Sequence, residues 1–306
     1  MYVEYMFARQ PERTAMASIL IFLSALMPAT ANTDYLPDES LVYKKAADKK
    51  TGRTVELKLH MYKPEGHQGT DKRPAIVFFF GGGWSGGNPK QFYQQAHFFA
   101  RRGLVAFSAE YRVRGRNKTT PFECVKDGKS AIRWVRQHAA ELGVDPDRIV
   151  ASGGSAGGHV AVCTGVIEGF EEADEDLQVS SLPNAMILFN PVLDTTLKGY
   201  GAERFKPERQ TDLSPCHQVG PGIVPTLLLH GTADTTVPFE NAERFAKLMT
   251  KHKNECTLVS FEGKGHGFFN STFFRPKIKN LTPYNQGMEA SVTFLIKHGY
   301  LPPKSP

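Results

Sequence analysis

The stretch "IVASGGSAGGHVAV", residues 149–162, constrains this chain more than any other. An apolar run reads as a buried strand and passes directly into an apolar segment with helical character, with no linker between them. The junction is Gly153-Gly154-Ser155-Ala156-Gly157, a G-x-S-x-G sequence. A strand can hand over to a helix this abruptly only through a sharp turn. The flanking residues must lack side chains for that turn to close and for a second molecule to approach it. A serine at the apex has its hydroxyl lifted above the sheet edge, beside the free N–H groups and positive dipole end of the helix. Ser155 is therefore a candidate nucleophile, to be weighed against a merely structural Gly-Ser turn.

The rest of the chain repeats the strand-helix alternation. "TVELKLHMYKP" alternates as a half-exposed strand from Val55 to Tyr62, and "AIVFFF", "LVAFSAEYR", "DPDRIVASGG", "AMILFNP", "PTLLLHG" and "CTLVSFEG" read as further strands. Helical patterns occupy about 89–102, 123–142, 239–250 and 285–298. Alternation of this kind predicts an α/β fold, a mostly parallel central sheet with helices on both faces. "DYLPDESLVYKKAADKKTG" is polar and reads as an extended lead-in, and the acidic run from Glu168 to Asp176 as a solvated helix end and loop. The segment Asp194 to Gly222 is irregular and long for a connection, which marks it as functional cover.

With 306 residues, 41% hydrophobic and 22% charged, the chain has enough apolar material for one large core. Its formal charge of +6 is spread along the sequence without a Lys/Arg block, so no nucleic-acid partner is expected. At the N-terminus Arg9 and Arg13 precede an apolar stretch, Ala15 to Met27, and then Ala29-Thr30-Ala31. The stretch is short of the roughly 20 residues a spanning helix needs. It reads as a secretory signal occupying residues 1–31, with Met16 an alternative start and a membrane anchor the competing reading. The expected product is a single catalytic domain, residues 32–306, secreted or periplasmic and without a membrane span. Cys124, Cys163, Cys216 and Cys256 fit no metal or disulfide framework and are expected as mostly buried free thiols.

A serine hydroxyl needs a base to take its proton, and the base needs an acid to orient it. On a sheet of this kind the chain order is Ser, then Asp or Glu, then His. Asp234 lies just past the strand in "PTLLLHGTADTTVPF", and His266 lies in a glycine-flanked loop in "FEGKGHGFF". His217 is the rival base and Asp194 the rival acid; either could instead belong to a substrate pocket. His159 should point away from Ser155 on its helix, and His230 should be core.

An oxyanion formed during acyl transfer needs preorganised N–H donors. Ala156, directly after the nucleophile, supplies one. "AIVFFFGGGWSGG" supplies a loop in which Gly82 and Gly83 can present bare backbone N–H groups. Trp84 is expected as a pocket wall or a packing anchor.

Taken in order, "FFFGGGWSGGNP", "SAEYR", "DGKSAIRWVRQHAAELGVDPDRI", "GGSAGGH", "HGTADTTVP" and "GKGHGFF" resemble the α/β-hydrolase esterases, in the branch with a GGG(W) oxyanion loop. The resemblance covers about residues 50 to 300 and is nearest in look to bacterial exported acetylxylan or carbohydrate acetyl esterases. It implies hydrolysis of carboxylic esters, in particular short-chain acetyl esters of carbohydrate such as acetylated xylan, with no metal or organic cofactor. It implies Ser155, Asp234 and His266 as the triad, Gly82, Gly83 and Ala156 as the oxyanion hole, and Asp127 as support for the glycine loop. Phe80 stands where that branch has a histidine, a departure bearing on loop anchoring. Competing readings are a lactone or aryl-ester (including feruloyl) hydrolase, a gated exopeptidase, and an inactive binding protein on the same fold.

Overall fold

A computed structural model describes residues 35–303; the expected signal segment lies outside the described residues. In chain order the elements are β1 (Glu39–Ala47), β2 (Thr54–Tyr62), β3 (Arg73–Phe79), a 3-10 turn (Pro89–Phe92) leading into α1 (Tyr93–Ala100), β4 (Val105–Ala109), α2 (Arg114–Asn117), α3 (Pro121–Gln137), β5 (Val144–Gly154), α4 (Ala156–Val166), β6 (Ala185–Phe189), α5 (Pro215–Gln218), β7 (Thr226–Gly231), α6 (Phe239–Lys251), β8 (Cys256–Phe261) and α7 (Thr282–Lys297). The strands form one eight-stranded sheet in the order β1-β2-β4-β3-β5-β6-β7-β8. β1 and β4 each run antiparallel to β2, and every other neighbouring pair is parallel.

The central strands are apolar without alternation because both faces are covered. Ala75 through Phe80 are fully buried, and Phe78 stacks on Phe92 with ring centroids 5.1 Å apart. The register matters for function. Phe79 pairs with Gly153, and Gly154 pairs with Phe189, so the chain leaves the sheet at Phe80, Ser155 and Asn190 side by side. Three adjacent carboxyl ends thus open at one point, the place where parallel α/β sheets put their chemistry.

Three expectations are corrected. The polar lead-in contains β1, an edge strand paired with β2; only Tyr43 and Ala46 of it are buried, which is why its sequence looks unstructured. The helix expected over 123–142 is α3, which begins at Pro121 and ends at Gln137. Its start is set by a capping box in which the Glu123 carboxylate accepts from the Thr120 N–H at 2.8 Å. The acidic run is a loop, with Glu168, Asp174 and Asp176 exposed, but its central glutamates are not solvated. Glu171 pairs with Lys129 (2.7 Å) and Arg133 (2.5 Å), and Glu172 with Lys44 (2.9 Å) and Arg112 (3.1 Å). Lys44, Arg112, Lys129 and Arg133 are nearly buried, and a buried cation must be matched.

All four cysteines are free, and Cys163 lies buried in α4. No helix among the described residues is long and apolar enough to cross a membrane.

Candidate active site

Ser155 sits at the end of β5 with φ 57° and ψ −125°, a backbone state that non-glycine residues rarely adopt. The turn is held by its neighbours. The Ser155 N–H donates to the Phe189 carbonyl at 2.9 Å, and the Ser155 carbonyl accepts from the His159 N–H at 2.9 Å. A side chain at Gly157 would have its Cβ 2.1 Å from the Phe79 carbonyl oxygen, so the second half of G-x-S-x-G must be glycine for α4 to pack against β3.

His266 reaches this serine from the loop after β8. Its Nε2 lies 2.8 Å from Ser155 Oγ, and its Nδ1 lies 2.7 Å from Asp234 Oδ2. The acid follows β7 and caps its own turn, with Oδ1 accepting from the N–H groups of Thr236 (2.8 Å) and Val237 (2.9 Å). Burial alone would raise the Asp234 carboxyl. Hydrogen bonds from His230 and His266, and the Val237 N–H, outweigh it and hold the group well below the ordinary carboxylate range. An anion at that point orients the imidazole and stabilises its charged form.

The glycine loop lies against the same serine. A Cβ at Gly81 would stand 3.1 Å from Ser155 Cβ. The Gly81 N–H is already engaged, donating to Gln91 Oε1 at 2.6 Å. The N–H groups of Gly82, Gly83 and Ala156 meet no acceptor among the described residues, which leaves them as the donors available to a ligand oxygen. Gly82 has φ 126°, a region closed to side chains, and a Cβ there would lie 2.5 Å from the Gly86 carbonyl oxygen. At Gly83 a Cβ would lie 2.7 Å from the Tyr200 hydroxyl.

The remaining candidates have structural partners. Trp84 is 1% exposed and donates from Nε1 to His159 Nδ1 at 3.3 Å, which makes it a packing anchor beneath the loop and not a pocket wall. His159 accordingly faces the loop's underside and not the catalytic hydroxyl. Asp194 is fully buried and binds Arg244 Nη1 at 2.7 Å and the Thr196 N–H at 2.8 Å. His217 is exposed, with its Nδ1 2.8 Å from Ser214 Oγ and its Nε2 3.2 Å from Arg244 Nη2. Neither therefore takes the rival acid or base place in the series from Ser155, which His266 and Asp234 fill. Both fasten the irregular segment to α6, because a long connection with only short helical turns needs side-chain anchors. Asp127, fully buried, takes a two-pronged bond from Arg112 (2.9 and 2.7 Å) and the Lys44 ammonium at 2.8 Å. It holds Arg112, whose chain neighbour Tyr111 donates to the Phe80 carbonyl at the base of the glycine loop. No cluster of three or more His, Cys, Asp or Glu side chains suited to a metal occurs among the described residues.

Known proteins can now be set beside this geometry. A family model described as BD-FAE matches residues 59–196, and the dienelactone hydrolase family matches residues 184–289. Esterase 2 of Thermogutta terrifontis, in a structure phosphoramylated by tabun, superposes with a TM-score of 0.80 at 48% identity, over 87% of this chain and 96% of that one. The chain belongs to the α/β-hydrolase esterases. A probable isoprenylcysteine alpha-carbonyl methylesterase of Arabidopsis thaliana is 27% identical over 232 residues, which is 68% of this chain and 48% of that protein. An acetylxylan esterase of Xylanibacter ruminicola is 27% identical over 214 residues, 66% of this chain and 42% of that protein. The chain spans about half the length of the curated relatives it matches first.

In this α/β-hydrolase esterase several site residues carry no motif of their own. Asn190 is buried with φ 41°, donates to the His266 carbonyl at 2.6 Å and accepts from the Gly231 N–H at 3.0 Å, so one side chain ties β6, β7 and the histidine loop together. Gln91, besides holding Gly81, donates to Asn270 Oδ1 at 2.8 Å, which joins the glycine loop to the histidine loop. Tyr200 and Arg204 of the irregular segment flank Gly83, and Arg204 also donates to Ser85 Oγ. Asn190 closes the strand in "LFNP"; the other contacts join residues far apart in sequence, and no local pattern announces them.

Proposed function

We propose that this chain is a serine carboxylesterase in which Ser155 is the nucleophile, His266 the general base and acid, Asp234 the orienting acid, and Gly82, Gly83 and Ala156 the oxyanion donors. The observation that carries this reading is the hydrogen-bonded series from Ser155 Oγ through His266 to Asp234, standing beside uncommitted N–H groups. His266 Nε2 takes the serine proton as Oγ attacks the ester carbonyl. The developing oxyanion is held by the backbone N–H groups. The imidazolium, stabilised by Asp234, then protonates the departing alcohol, and water repeats the sequence on the acyl-enzyme.

Substrates are proposed as short-chain acyl esters, in particular acetyl esters of carbohydrate such as acetylated xylan. The acetylxylan esterase relative supports the alcohol side, and a structure of the Thermogutta esterase with propionate bound supports a small acyl group. Residues 1–31 are proposed as a signal that sends the enzyme out of the cytoplasm. The dienelactone hydrolase match favours a lactone or aryl ester, feruloyl esters included, as the second reading.

Two measurements test this. Turnover of p-nitrophenyl acetate is expected in the parent and absent in a folded Ser155→Ala variant; activity persisting in the variant rejects the assignment. The Thermogutta esterase has been captured phosphorylated by paraoxon. The same reagent should add one diethylphosphoryl group to this chain with release of p-nitrophenolate, and none to Ser155→Ala. Acetate release from acetylated xylan, compared with pectin, feruloylated sugars, lactones and aryl esters, then ranks the substrates.

A further inference from the structure

Asp234 has a second imidazole beside it. His230, the penultimate residue of β7, is fully buried, and its Nε2 lies 3.3 Å from Asp234 Oδ2 and 3.1 Å from the Val237 carbonyl oxygen. Oδ2 is the oxygen that receives His266 Nδ1. A carbonyl oxygen can only accept, and an ionised carboxylate can only accept, so the nitrogen between them carries the proton and shares it. The other nitrogen of His230, Nδ1, is buried without a hydrogen-bond partner among the described residues. A side chain chosen for core packing would not bring such a group inside; an apolar residue of similar size would fill the space next to Phe239 without it.

We infer that His230 is a positioning residue for catalysis, whose Nε2–H occupies the second lone pair of Asp234 Oδ2 and fixes the carboxylate for His266. The inference rests on the triad reading above. With Thr236 and Val237 on Oδ1, and His230 and His266 on Oδ2, the carboxylate has four donors and its plane is set from both ends. Without His230, Oδ2 loses one of its two donors and the group can turn away from the line that His266 requires. The bonds of His230 go to Asp234 and to the Val237 carbonyl of the same turn, so its effect on the serine passes through the carboxylate and its turn.

Three variants separate positioning from packing. His230→Phe removes the donor and the unpartnered nitrogen together. His230→Gln keeps an N–H at the reach of Nε2, whereas His230→Asn carries an amide too short to meet Asp234. With p-nitrophenyl acetate, kcat is expected to fall about tenfold in His230→Phe and His230→Asn, for loss of one charge-assisted hydrogen bond, with KM within about twofold of the parent. His230→Gln should recover most of kcat, and the unfolding midpoint of His230→Phe should not be lowered. In an Asp234→Asn background, His230→Phe should cause no further loss, because the two residues act as one unit. A kcat in His230→Phe within about twofold of the parent overturns the inference, as does a loss repeated undiminished in Asp234→Asn. Should His230→Phe fail to fold, the Asn and Gln pair decides: equal activities reject the positioning role. If the parent itself turns over no ester, the esterase reading fails, and the low-field Nδ1 proton of His266, followed by NMR, decides here. It should move in His230→Asn and stay in His230→Gln; no movement in either rejects the inference.

Discussion

The ring of Tyr111 lies flat on Phe80, with centroids 4.1 Å apart and planes 16° from parallel, and its hydroxyl donates to the Phe80 carbonyl at 2.5 Å. This pair holds the base of the glycine loop. The aromatic stack supplies apolar burial, and the tyrosine hydroxyl supplies a polar tie to the same residue's backbone. Arg116 donates to the Gly87 carbonyl at 2.6 Å and closes the far end of the loop.

Phe80→His should lower thermal stability, since it places a polar ring in a fully buried site at a cost of about 1–3 kcal/mol unless a partner is found. Turnover should change by no more than about threefold, because the oxyanion donors are backbone groups. Tyr111→Phe keeps the stack and loses the hydroxyl, so it should cost about 1 kcal/mol and widen loop motion seen by hydrogen exchange at Gly81 to Gly83. Larger loss of turnover from Phe80→His than from the glycine replacements below would show the side chain to be part of the chemistry.

Gly82→Val and Gly83→Val should each lower kcat by at least about a hundredfold, the loss associated with one oxyanion donor. The cause differs at the two positions. At Gly82 the new Cβ meets the Gly86 backbone and the φ is forbidden; at Gly83 it meets the Tyr200 hydroxyl, a side-chain atom that can move. Gly83→Ala combined with Tyr200→Phe should therefore recover more activity than Gly83→Ala alone, whereas no second change repairs Gly82→Ala. Steady-state kinetics on the single and double variants checks this.

The bridge from Gly81 through Gln91 to Asn270 joins the two loops that must be aligned for reaction, and Asn270 also donates to the Gly267 carbonyl at 3.0 Å. Gln91→Leu should lower kcat about ten- to a hundredfold while Ser155 still reacts with paraoxon at a measurable rate, since the triad itself is untouched. Asn270→Leu should produce a similar loss, and the double variant little more than either single one.

His159 gives the pH dependence of stability a definite window. Its Nε2 lies 2.7 Å from the Leu213 carbonyl and its Nδ1 accepts from Trp84, so the neutral ring is fully satisfied. Burial, opposed in part by the Leu213 bond, pushes the imidazole down to about 4. An unfolded histidine titrates near 6.5. Between these values the unfolded chain binds more protons, so stability rises with pH; it is greatest above about 6.5 and falls as the pH drops towards about 4. Protonation also removes the acceptor for Trp84 beneath the glycine loop. Urea unfolding between pH 4 and pH 7 should show a shallower pH dependence in His159→Gln than in the parent. The contribution of Asp234, also depressed, is lost only at lower pH, so the two do not overlap.

Much of the site was legible because its chemistry lies in short segments at strand ends. The order Ser155, Asp234, His266 follows from which strand each residue closes, and the parallel pairing of β5, β6, β7 and β8 turns that order into proximity. Polar edge structure was not legible. β1 has too few buried positions to show a pattern, and the glutamates of the acidic run look solvated until Lys44, Arg112, Lys129 and Arg133 are brought to them from other elements. The same limit applies to Asp194, which follows a strand, and to His217 in the irregular segment, whose common partner Arg244 lies on α6.

By itself the sequence determined the strand-helix alternation, the strained serine turn and the glycine loop, because periodicity and glycine placement act over neighbouring residues. Tertiary structure decided which side chains hold those parts in alignment. Gln91 with Asn270, Asn190 with His266, Tyr111 with Phe80 and Trp84 with His159 are meetings of residues far apart in the chain, made when the sheet closes and buried polar groups must find partners.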